Sequence, residues 1–336
     1  MHPRASIKDV ARLAKVSPST VSRALAGSER ISDDTRRRVQ TIAQELGYTP
    51  SQAARSLVTG ASQSIAIVAP SLADPFLAAV MAGIEGESLA AGYHLVVAST
   101  SGDASREIEG VRMVLGQQPD GLIVLSSRAG KAYQQVLPGL DIPVAFVNSD
   151  QPGEQVFSIA TDNEHGGWLA TRHLLDLGHR RIAFLGGPAQ GRSQQARTAG
   201  YRRALHEAGL NFDPARVVAG DGSIAAGRGA LTEIIAAPPS LRPTAVFCYN
   251  DLSALGLLAE AHRQGLRLPD QLAVVGFDNV PYAELSLPSL TTVDQRKEEL
   301  GRLAVTTILA ARRGEPVADI RLRGDLILRA STCPPG

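Results

Sequence analysis

Seven short apolar runs, separated by stretches with helical spacing, constrain the fold of most of this 336-residue chain. The runs are residues 65–69, 95–98, 122–125, 144–147, 182–185, 245–248 and 272–275. Continuous apolar strands joined by crossover helices, such as those expected at 76–91 and 250–264, are typical of parallel sheets covered on both faces. The part of the chain that contains these runs, about 270 residues long, is long enough for two such units. The pattern therefore predicts two α/β subdomains.

The first sixty residues show a different pattern, which predicts three short helices around a small apolar core. Ser6, Ser17 and Ser32 are placed to begin these helices, because a serine oxygen can accept a free backbone amide. Pro18 follows Ser17 at a position where no amide donor is needed. The expected buried residues are Val10, Leu13, Ala14, Val21, Ala24, Leu25, Val39, Ile42, Ala43 and Leu46. Helix, tight turn and helix together favour a DNA-reading motif, with a generic three-helix bundle as the alternative.

Charge is distributed unevenly along the chain and favours the DNA-reading interpretation. Residues 1–60 contain ten Lys and Arg against five Asp and Glu, whereas the remainder contains 24 against 28. A near-neutral total therefore hides a basic head, which phosphate binding requires. For the run Arg36–Arg38, a solvated helix face remains an equally good interpretation.

Three motifs carry a resemblance to a known family. Residues 7–11, 16–25 and 46–57 resemble the headpiece of the lactose-repressor (LacI-type) family of bacterial transcription regulators, and the resemblance continues to about Arg329. It implies a helix-turn-helix headpiece with a hinge helix. A periplasmic-binding-protein-like body of two Rossmann-like subdomains would follow. The implied function is a sequence-specific DNA-binding regulator, most simply a repressor, controlled by a small-molecule effector.

The family resemblance implies which residues meet DNA. They are Ser17, Pro18, Ser19, Thr20, Ser22 and Arg23 in the second helix, and Ala53, Ala54 and Leu57 in the hinge. Pro18, Ser19 and Arg23 would face bases, and Thr20 and Ser22 phosphates. Arg23 can bind guanine through two donors, whereas Pro18 can offer only an apolar contact.

Residues 50–57 are compatible with a helix but are too short to hold one alone in water. We expect them to become ordered on DNA, where the resemblance implies that Leu57 wedges between base steps in the minor groove. An ordinary linker with one exposed leucine is the alternative.

Polar residues follow several predicted strands and suggest a binding site. Asp74, Asn148, Asn250 and Asp278 each come after an apolar run, and ligands of such sheets bind beyond the carboxyl ends of the strands. Each could instead cap the following helix. Their convergence from two subdomains would form a cleft for a hydroxyl-rich molecule.

The resemblance extends this set of effector-binding residues. It implies that the site comprises Asp74, Phe76, Asn148, Arg197, Asn250, Asp278 and Gln295, and that the effector is a sugar or sugar derivative. The chain departs from many relatives at Gly222, where they carry an aromatic ring, and at Ser149, where purine-binding relatives carry one. A nucleobase effector is therefore less expected, and the loss of an aromatic wall could also enlarge the pocket for a bulkier sugar.

Two domains are expected from these patterns. Residues 1–60 form the headpiece and hinge, and residues 61–336 form a two-lobed, dimerising body. Within the body, the first lobe is expected at 63–161 and 292–320, and the second at 162–291 and 321–330. The partners expected are near-palindromic double-stranded operator DNA, a carbohydrate effector and a second copy of the chain. No heptad tail follows Arg329, so a tetramer is not expected.

Other functional classes find little support in the sequence. Two cysteines and seven scattered histidines offer no disulfide framework or metal-ligand spacing. Dinucleotide, phosphate-loop and nucleophile-elbow motifs are missing, so we expect neither an enzyme nor a cofactor. A polar start and no long apolar run indicate a cytoplasmic protein. A sugar-transport receptor and a sugar-modifying enzyme are the competing classes; the first lacks a signal peptide and the second an acid–base pair.

Overall fold

A computed structural model of the chain describes residues 5–25, 27–28, 30–48, 61–149, 151, 153–189 and 191–335. The predicted residues Ala53, Ala54 and Leu57 therefore lie outside the described part, together with the rest of the expected hinge.

The headpiece consists of three helices: α1 (Ile7–Ala14), α2 (Pro18–Leu25) and α3 (Asp33–Glu45). Each begins at the expected serine. Ser6 donates its amide and its hydroxyl to Asp9 Oδ2, and the Ser17 and Ser32 oxygens accept the amides of Thr20 and Thr35. The core that these helices enclose consists of Val10, Ala11, Ala14, Val21, Ala24, Val39 and Ala43.

The prediction that Leu13 belongs to the headpiece core is wrong. Leu13 is 52% exposed, whereas Ala11 is buried. The buried stripe of α1 runs through Val10, Ala11 and Ala14, with Ile7 packed against its edge, which is the i, i+3, i+4, i+7 spacing of one helix face. Leu13 lies beside this stripe. The spacing of the sequence allowed either Leu13 or Ala11 to face the core, and the structure buries Ala11.

The first lobe contains a six-stranded parallel sheet covered by helices. Its elements are β1 (Ser64–Ala69), α4 (Pro75–Ala90), β2 (His94–Ser99), α5 (Ala104–Leu115), β3 (Gly121–Leu125), a 3-10 helix (Gly130–Gln135), β4 (Val144–Val147), β5 (Val156–Thr161), α11 (Lys297–Arg312) and β11 (Ile320–Leu322). The strand order is β11-β5-β4-β3-β1-β2. Every residue of β1, β3 and β4 is buried, as expected for strands covered by helices on both faces.

The second lobe contains another six-stranded sheet. Its elements are α6 (Asn163–Asp176), β6 (Ile182–Leu185), α7 (Arg192–Glu207), a 3-10 helix (Pro214–Arg216), β7 (Val217–Val218), α8 (Ile224–Ala236), β8 (Ala245–Cys248), α9 (Asp251–Arg263), β9 (Ala273–Asp278), α10 (Pro281–Leu285), β10 (Thr291–Asp294) and β12 (Asp325–Ile327). The strand order is β12-β10-β9-β8-β6-β7, and the strands are parallel except for β12.

The chain crosses between the lobes at places that differ slightly from those expected. Residues 291–294 pair with β9 of the second lobe rather than returning to the first. The crossing comes just after them, at Gln295 and Arg296, and α11 then packs on α4. Residues 320–322 pair with β5 and so remain in the first lobe. The expected division at residues 292 and 321 was therefore wrong by a few residues, because strand pairing extends past each point.

Candidate functional site

The second helix of the headpiece presents a polar outer face. Pro18, Ser19 and Arg23 are exposed and Thr20 and Ser22 are partly exposed, whereas Val21 and Ala24 are fully buried. These five outward positions, together with the exposed Ser17 before them, are those for which the family resemblance implied DNA contacts. A face with one guanidinium and several hydroxyls can donate to phosphates and to base edges.

A cluster of hydroxyl groups covers the start of this helix. Ser17 Oγ lies 2.7 Å from Ser19 Oγ and 2.9 Å from Thr20 Oγ1, and it also accepts the Thr20 amide at 3.1 Å. Ser17 therefore caps the helix. The hydroxyls of Ser19 and Thr20 can rotate away from Ser17 and donate to a phosphate oxygen instead.

The arginine run at the start of α3 is largely engaged with the headpiece itself. Arg36 Nη2 donates to the carbonyl oxygen of Ser28 at 3.0 Å, and Nη1 pairs with Asp33 at 2.9 Å. Arg38 pairs with Asp34 at 3.6 Å. Arg36 thus ties Ser28, which precedes α3, to the first turn of that helix.

The seven residues assigned to the effector line one cavity of about 280 Å³ between the lobes. Asp74, Phe76 and Asn148 come from the first lobe, Arg197, Asn250 and Asp278 from the second, and Gln295 from the crossing segment that follows β10. Most of them follow strands of the two sheets, which is why segments distant in sequence meet here.

Arg197 is the buried cation of the cavity, with 4% of its surface exposed. Its Nε donates to Asn163 Oδ1 at 2.9 Å, and its Nη1 donates to the carbonyl oxygen of Tyr249. The guanidinium carbon lies 3.7 Å from the centre of the Phe277 ring and 4.5 Å from that of Tyr249. Stacking and two hydrogen bonds fix the guanidinium before any ligand arrives.

Asp278 is the buried carboxyl of the cavity. Burial raises its pKa well above the ordinary aspartate value, and the positive charge of Arg197 opposes that rise. Gln295 Nε2 donates to its Oδ1, and Lys297 Nζ donates to its carbonyl oxygen at 2.6 Å. Its φ of +123° is unusual for a residue with a side chain, and such strain is often found at binding sites.

Gln295 carries an acceptor with nothing to accept. Its Oε1 is buried and, in the part of the chain that the structure describes, has no hydrogen-bond partner. A buried acceptor without a donor is unfavourable by about 1–3 kcal/mol. A ligand hydroxyl group reaching this atom would remove that penalty.

The alternative role as helix caps holds for two of the four strand-end residues. Asp74 accepts the amide of Phe76 at 2.8 Å, and Asn250 accepts that of Ser253 at 3.0 Å. Asn148 instead accepts the amide of Thr161. Each of these bonds uses one oxygen, so the second oxygen of Asp74 and both amide groups' NH2 donors can still serve a ligand.

Several cavity residues were missed by sequence reasoning, among them Ser126, Arg128, Asp221 and Tyr249. Ser126 and Arg128 follow β3, and Tyr249 follows β8, so their positions after strands were a usable signal. A buried carboxylate, Glu107, holds the first of these segments by accepting the Arg128 amide at 2.9 Å.

Among the described residues, no group of three or more His, Cys, Asp and Glu side chains is arranged to hold a metal ion. Within the same ranges, no helix combines the length and apolar character needed to cross a bilayer.

Two family models match the chain. Residues 6–51 match the model described as bacterial regulatory proteins, lacI family, and residues 171–332 match a periplasmic binding protein-like domain. The first covers the headpiece and the second most of the second lobe.

Curated relatives and solved structures match nearly the whole chain. The HTH-type transcriptional repressor CytR of Escherichia coli is 35% identical over 98% of this chain and 96% of its own length. The ribose operon repressor of Haemophilus influenzae is 36% identical over 91% of each chain. The Lac repressor dimer bound to operator and the anti-inducer ONPF is similar at a TM-score of 0.86, with 28% identity over 98% of this chain and all of the other. A complex of the regulator CelR with cellobiose is similar at 0.74, with 31% identity and the same coverage.

Proposed function

The chain belongs to the lacI family of bacterial regulatory proteins, and from this premise we propose how its parts divide the work. It is a DNA-binding transcriptional repressor. Residues 1–60 bind a near-palindromic operator, and residues 61–336 form the dimer and bind a small effector between the lobes. Effector binding changes operator affinity.

The convergence of two lobes on one cavity carries the effector proposal. A buried cation, a buried carboxyl and an unpaired amide oxygen, from Arg197, Asp278 and Gln295, surround about 280 Å³. Such a mixture of fixed donors and acceptors suits neighbouring hydroxyl groups, and the volume lies just below the usual range of small-molecule sites, which favours a small ligand. A sugar or sugar derivative fits both properties, and the similarity to a cellobiose complex supports it.

The coupling to DNA follows from where the effector sits. A ligand that touches Asp74 and Asn148 in one lobe and Arg197 and Asp278 in the other favours one separation of the lobes. In the dimer, a change in this separation would move the first lobes of the two subunits, and so move the two headpieces closer together or farther apart. Coupling of this kind commonly amounts to about 1–3 kcal/mol.

DNA contacts are proposed for the outer face of α2 and the hinge. Pro18, Ser19 and Arg23 would read base edges, while Ser17, Thr20 and Ser22 would bind phosphates. Ala53, Ala54 and Leu57 would enter the minor groove, with Leu57 as the wedge. The roles on α2 are supported by the exposure of its polar face.

We propose that the effector site binds without chemical turnover. One oxygen of Asp74 caps α4, one oxygen of Asp278 accepts from Gln295, and the Arg197 guanidinium is stacked on the Phe277 ring. A repressor has to reach chromosomal DNA, so we place the protein in the cytoplasm, on the nucleoid when it is bound to its operator.

Binding measurements test the proposal directly. Operator selection from random duplexes should yield a near-palindromic site, and at least one sugar from a panel should change the measured affinity about tenfold. Chromatography of the sugar after incubation should recover it unchanged. Equal affinity for all duplexes would refute the repressor assignment, and a hydrolysed or modified sugar would refute the binding role.

A further inference from the structure

Tyr249 stands out among the residues of the effector cavity. It follows β8 directly, is partly exposed and lines the cavity. Of the described residues that line this cavity, only Phe76 and Tyr249 are aromatic, and they come from opposite lobes. Phe76 is nine-tenths buried in its own lobe, so Tyr249 offers the larger accessible ring.

Two glycines leave the space in which this ring sits. A Cβ atom on Gly187 would lie within 2.5–2.6 Å of three ring atoms of Tyr249. A Cβ on Gly222 would lie 3.2 Å from Tyr249 Cδ1, and the φ of Gly222, +84°, disfavours any side chain. A side chain at position 187 would therefore displace the ring, whereas one at position 222 would crowd it.

The ring is also tied to the buried cation of the site. Arg197 donates to the Tyr249 carbonyl oxygen, and its guanidinium carbon lies 4.5 Å from the ring centre. Moving the ring would thus disturb the group best placed to bind ligand hydroxyls. Backbone, ring and guanidinium form one preorganised wall.

We propose that Tyr249 contacts the effector and determines which effectors fit, a role that rests on the proposed function of the cavity and deepens it. Its carbon edge and face can pack against the C–H groups of a cyclic sugar or nucleoside, and its hydroxyl can hydrogen-bond to the same molecule. Because Gly187 and Gly222 supply no side chain, the Tyr249 ring occupies the space next to these two positions and narrows the cavity there.

The test uses the full-length protein and named probes. Calorimetry with D-ribose, D-galactose, cellobiose, o-nitrophenyl-β-galactoside, adenosine and cytidine identifies the probe that the unmodified protein binds best. Tyr249→Ala should lower the affinity for that probe about tenfold or more. It should also change the order of affinities in favour of larger probes. Tyr249→Phe should keep the preference and lose only the contribution of the hydroxyl.

Gly187→Ala provides an independent variant, since it displaces the ring without removing it. Gly187→Ala should lower the affinity for the probe as Tyr249→Ala does. In the double variant the affinity should fall no further than in Tyr249→Ala alone. Leu241→Ala, which alters an exposed leucine of the same lobe away from the cavity, is the control and should bind as the unmodified protein does. Operator affinity without probe checks that each variant is folded.

Two results would overturn different claims. Suppose that the unmodified protein binds a probe and that the affinities of Tyr249→Ala and Gly187→Ala for it are within twofold of the unmodified protein's. Tyr249 then has no role in effector selection, while the proposed function stands. If no probe binds the unmodified protein, the sugar-binding function itself is wrong.

Discussion

The headpiece and the interlobe cavity solve their binding problems in opposite ways. In the headpiece, the polar side chains of α2 are exposed or partly exposed, and the hydroxyls of Ser17, Ser19 and Thr20 bond to one another over no more than three residues. In the cavity, Arg197 and Asp278 are buried and held by residues 34 and 17 positions away. A polyanion needs exposed charge that acts through the ionic atmosphere, whereas a small neutral ligand needs fixed, desolvated partners.

The largest expected effect is the response to salt, which should separate the two regions. If each subunit neutralises about four phosphates, log affinity should fall against log salt with a slope near −7, or about 10⁴-fold between 50 and 200 mM. Effector affinity should change less than about twofold over the same range, because its partners are buried. Fluorescence anisotropy and calorimetry in one salt series measure both. Equal slopes would contradict the contrast.

Removing the buried cation should affect only the cavity. Arg197→Met keeps much of the apolar contact with Phe277 but removes every donor, so effector affinity should fall by about 2–3 kcal/mol or more. Operator affinity without effector should stay within twofold. Asp278→Asn should show the same selectivity. Loss of operator binding alongside effector binding would instead indicate a structural role shared by both regions.

Removing the exposed cation should affect only the headpiece. Arg23→Ala should relax base preference at one position of each half-site, at a cost of about 1–3 kcal/mol there. Non-specific binding should weaken little, and the effector response should persist. Arg37→Ala, a similarly exposed arginine of α3, is the matched control and should leave base preference unchanged. Preference lost equally at all positions would argue that Arg23 binds phosphate.

One buried carboxyl group of the second lobe and one exposed carboxyl group of the headpiece should respond to pH with opposite sign. Asp251, at the start of α9, is fully buried and accepts from the Val280 amide and the Thr292 hydroxyl. Burial raises its pKa to about 6. In the headpiece, hydrogen bonds from Ser6 lower the pKa of Asp9. The raised pKa gives stability that is lost as pH rises through 6, whereas the lowered one gives stability that is lost as pH falls below 4.

Asp251→Asn and Asp9→Asn test these signs. Relative to the unmodified protein, the free energy of unfolding of Asp251→Asn should rise by about 2 kcal/mol between pH 4.5 and 7, because the charged carboxylate is no longer buried. For Asp9→Asn the relative stability should instead fall as pH rises. Denaturant titrations at several pH values measure both. A flat difference for Asp251→Asn would mean that its pKa is not raised.

How far the sequence could predict the molecule also differs between the regions. Headpiece helices follow from local signals, and all three begin at the predicted serines. Fully buried strands were equally visible, because each is a continuous apolar run. Strands β5, β7, β11 and β12 were not predicted, since they are short or only partly buried and so lack such a run.

The cavity required information that local pattern does not carry. The seven predicted residues were brought together by the resemblance and by the rule that ligands bind at strand ends, and they line one cavity. Tyr249 and Arg128 follow strands too but carried no distinguishing spacing. Burial of Asp278 and the unpaired Gln295 oxygen arise from contacts between segments that are distant in sequence.

The smallest expected effect concerns the residue for which local pattern failed. Leu13 is 52% exposed and Val10 is fully buried, although both lie on α1 and both are aliphatic. Leu13→Ala should change headpiece stability by less than about 0.5 kcal/mol, whereas Val10→Ala should be destabilising by about 1–3 kcal/mol through lost burial and a cavity. Amide exchange over residues 7–48 in the intact protein reports both. If Leu13→Ala destabilises the headpiece free in solution as much as Val10→Ala does, the buried face of α1 is assigned wrongly. If Leu13→Ala weakens operator binding while exchange is unchanged, that exposed leucine belongs to the DNA-facing surface rather than to the core.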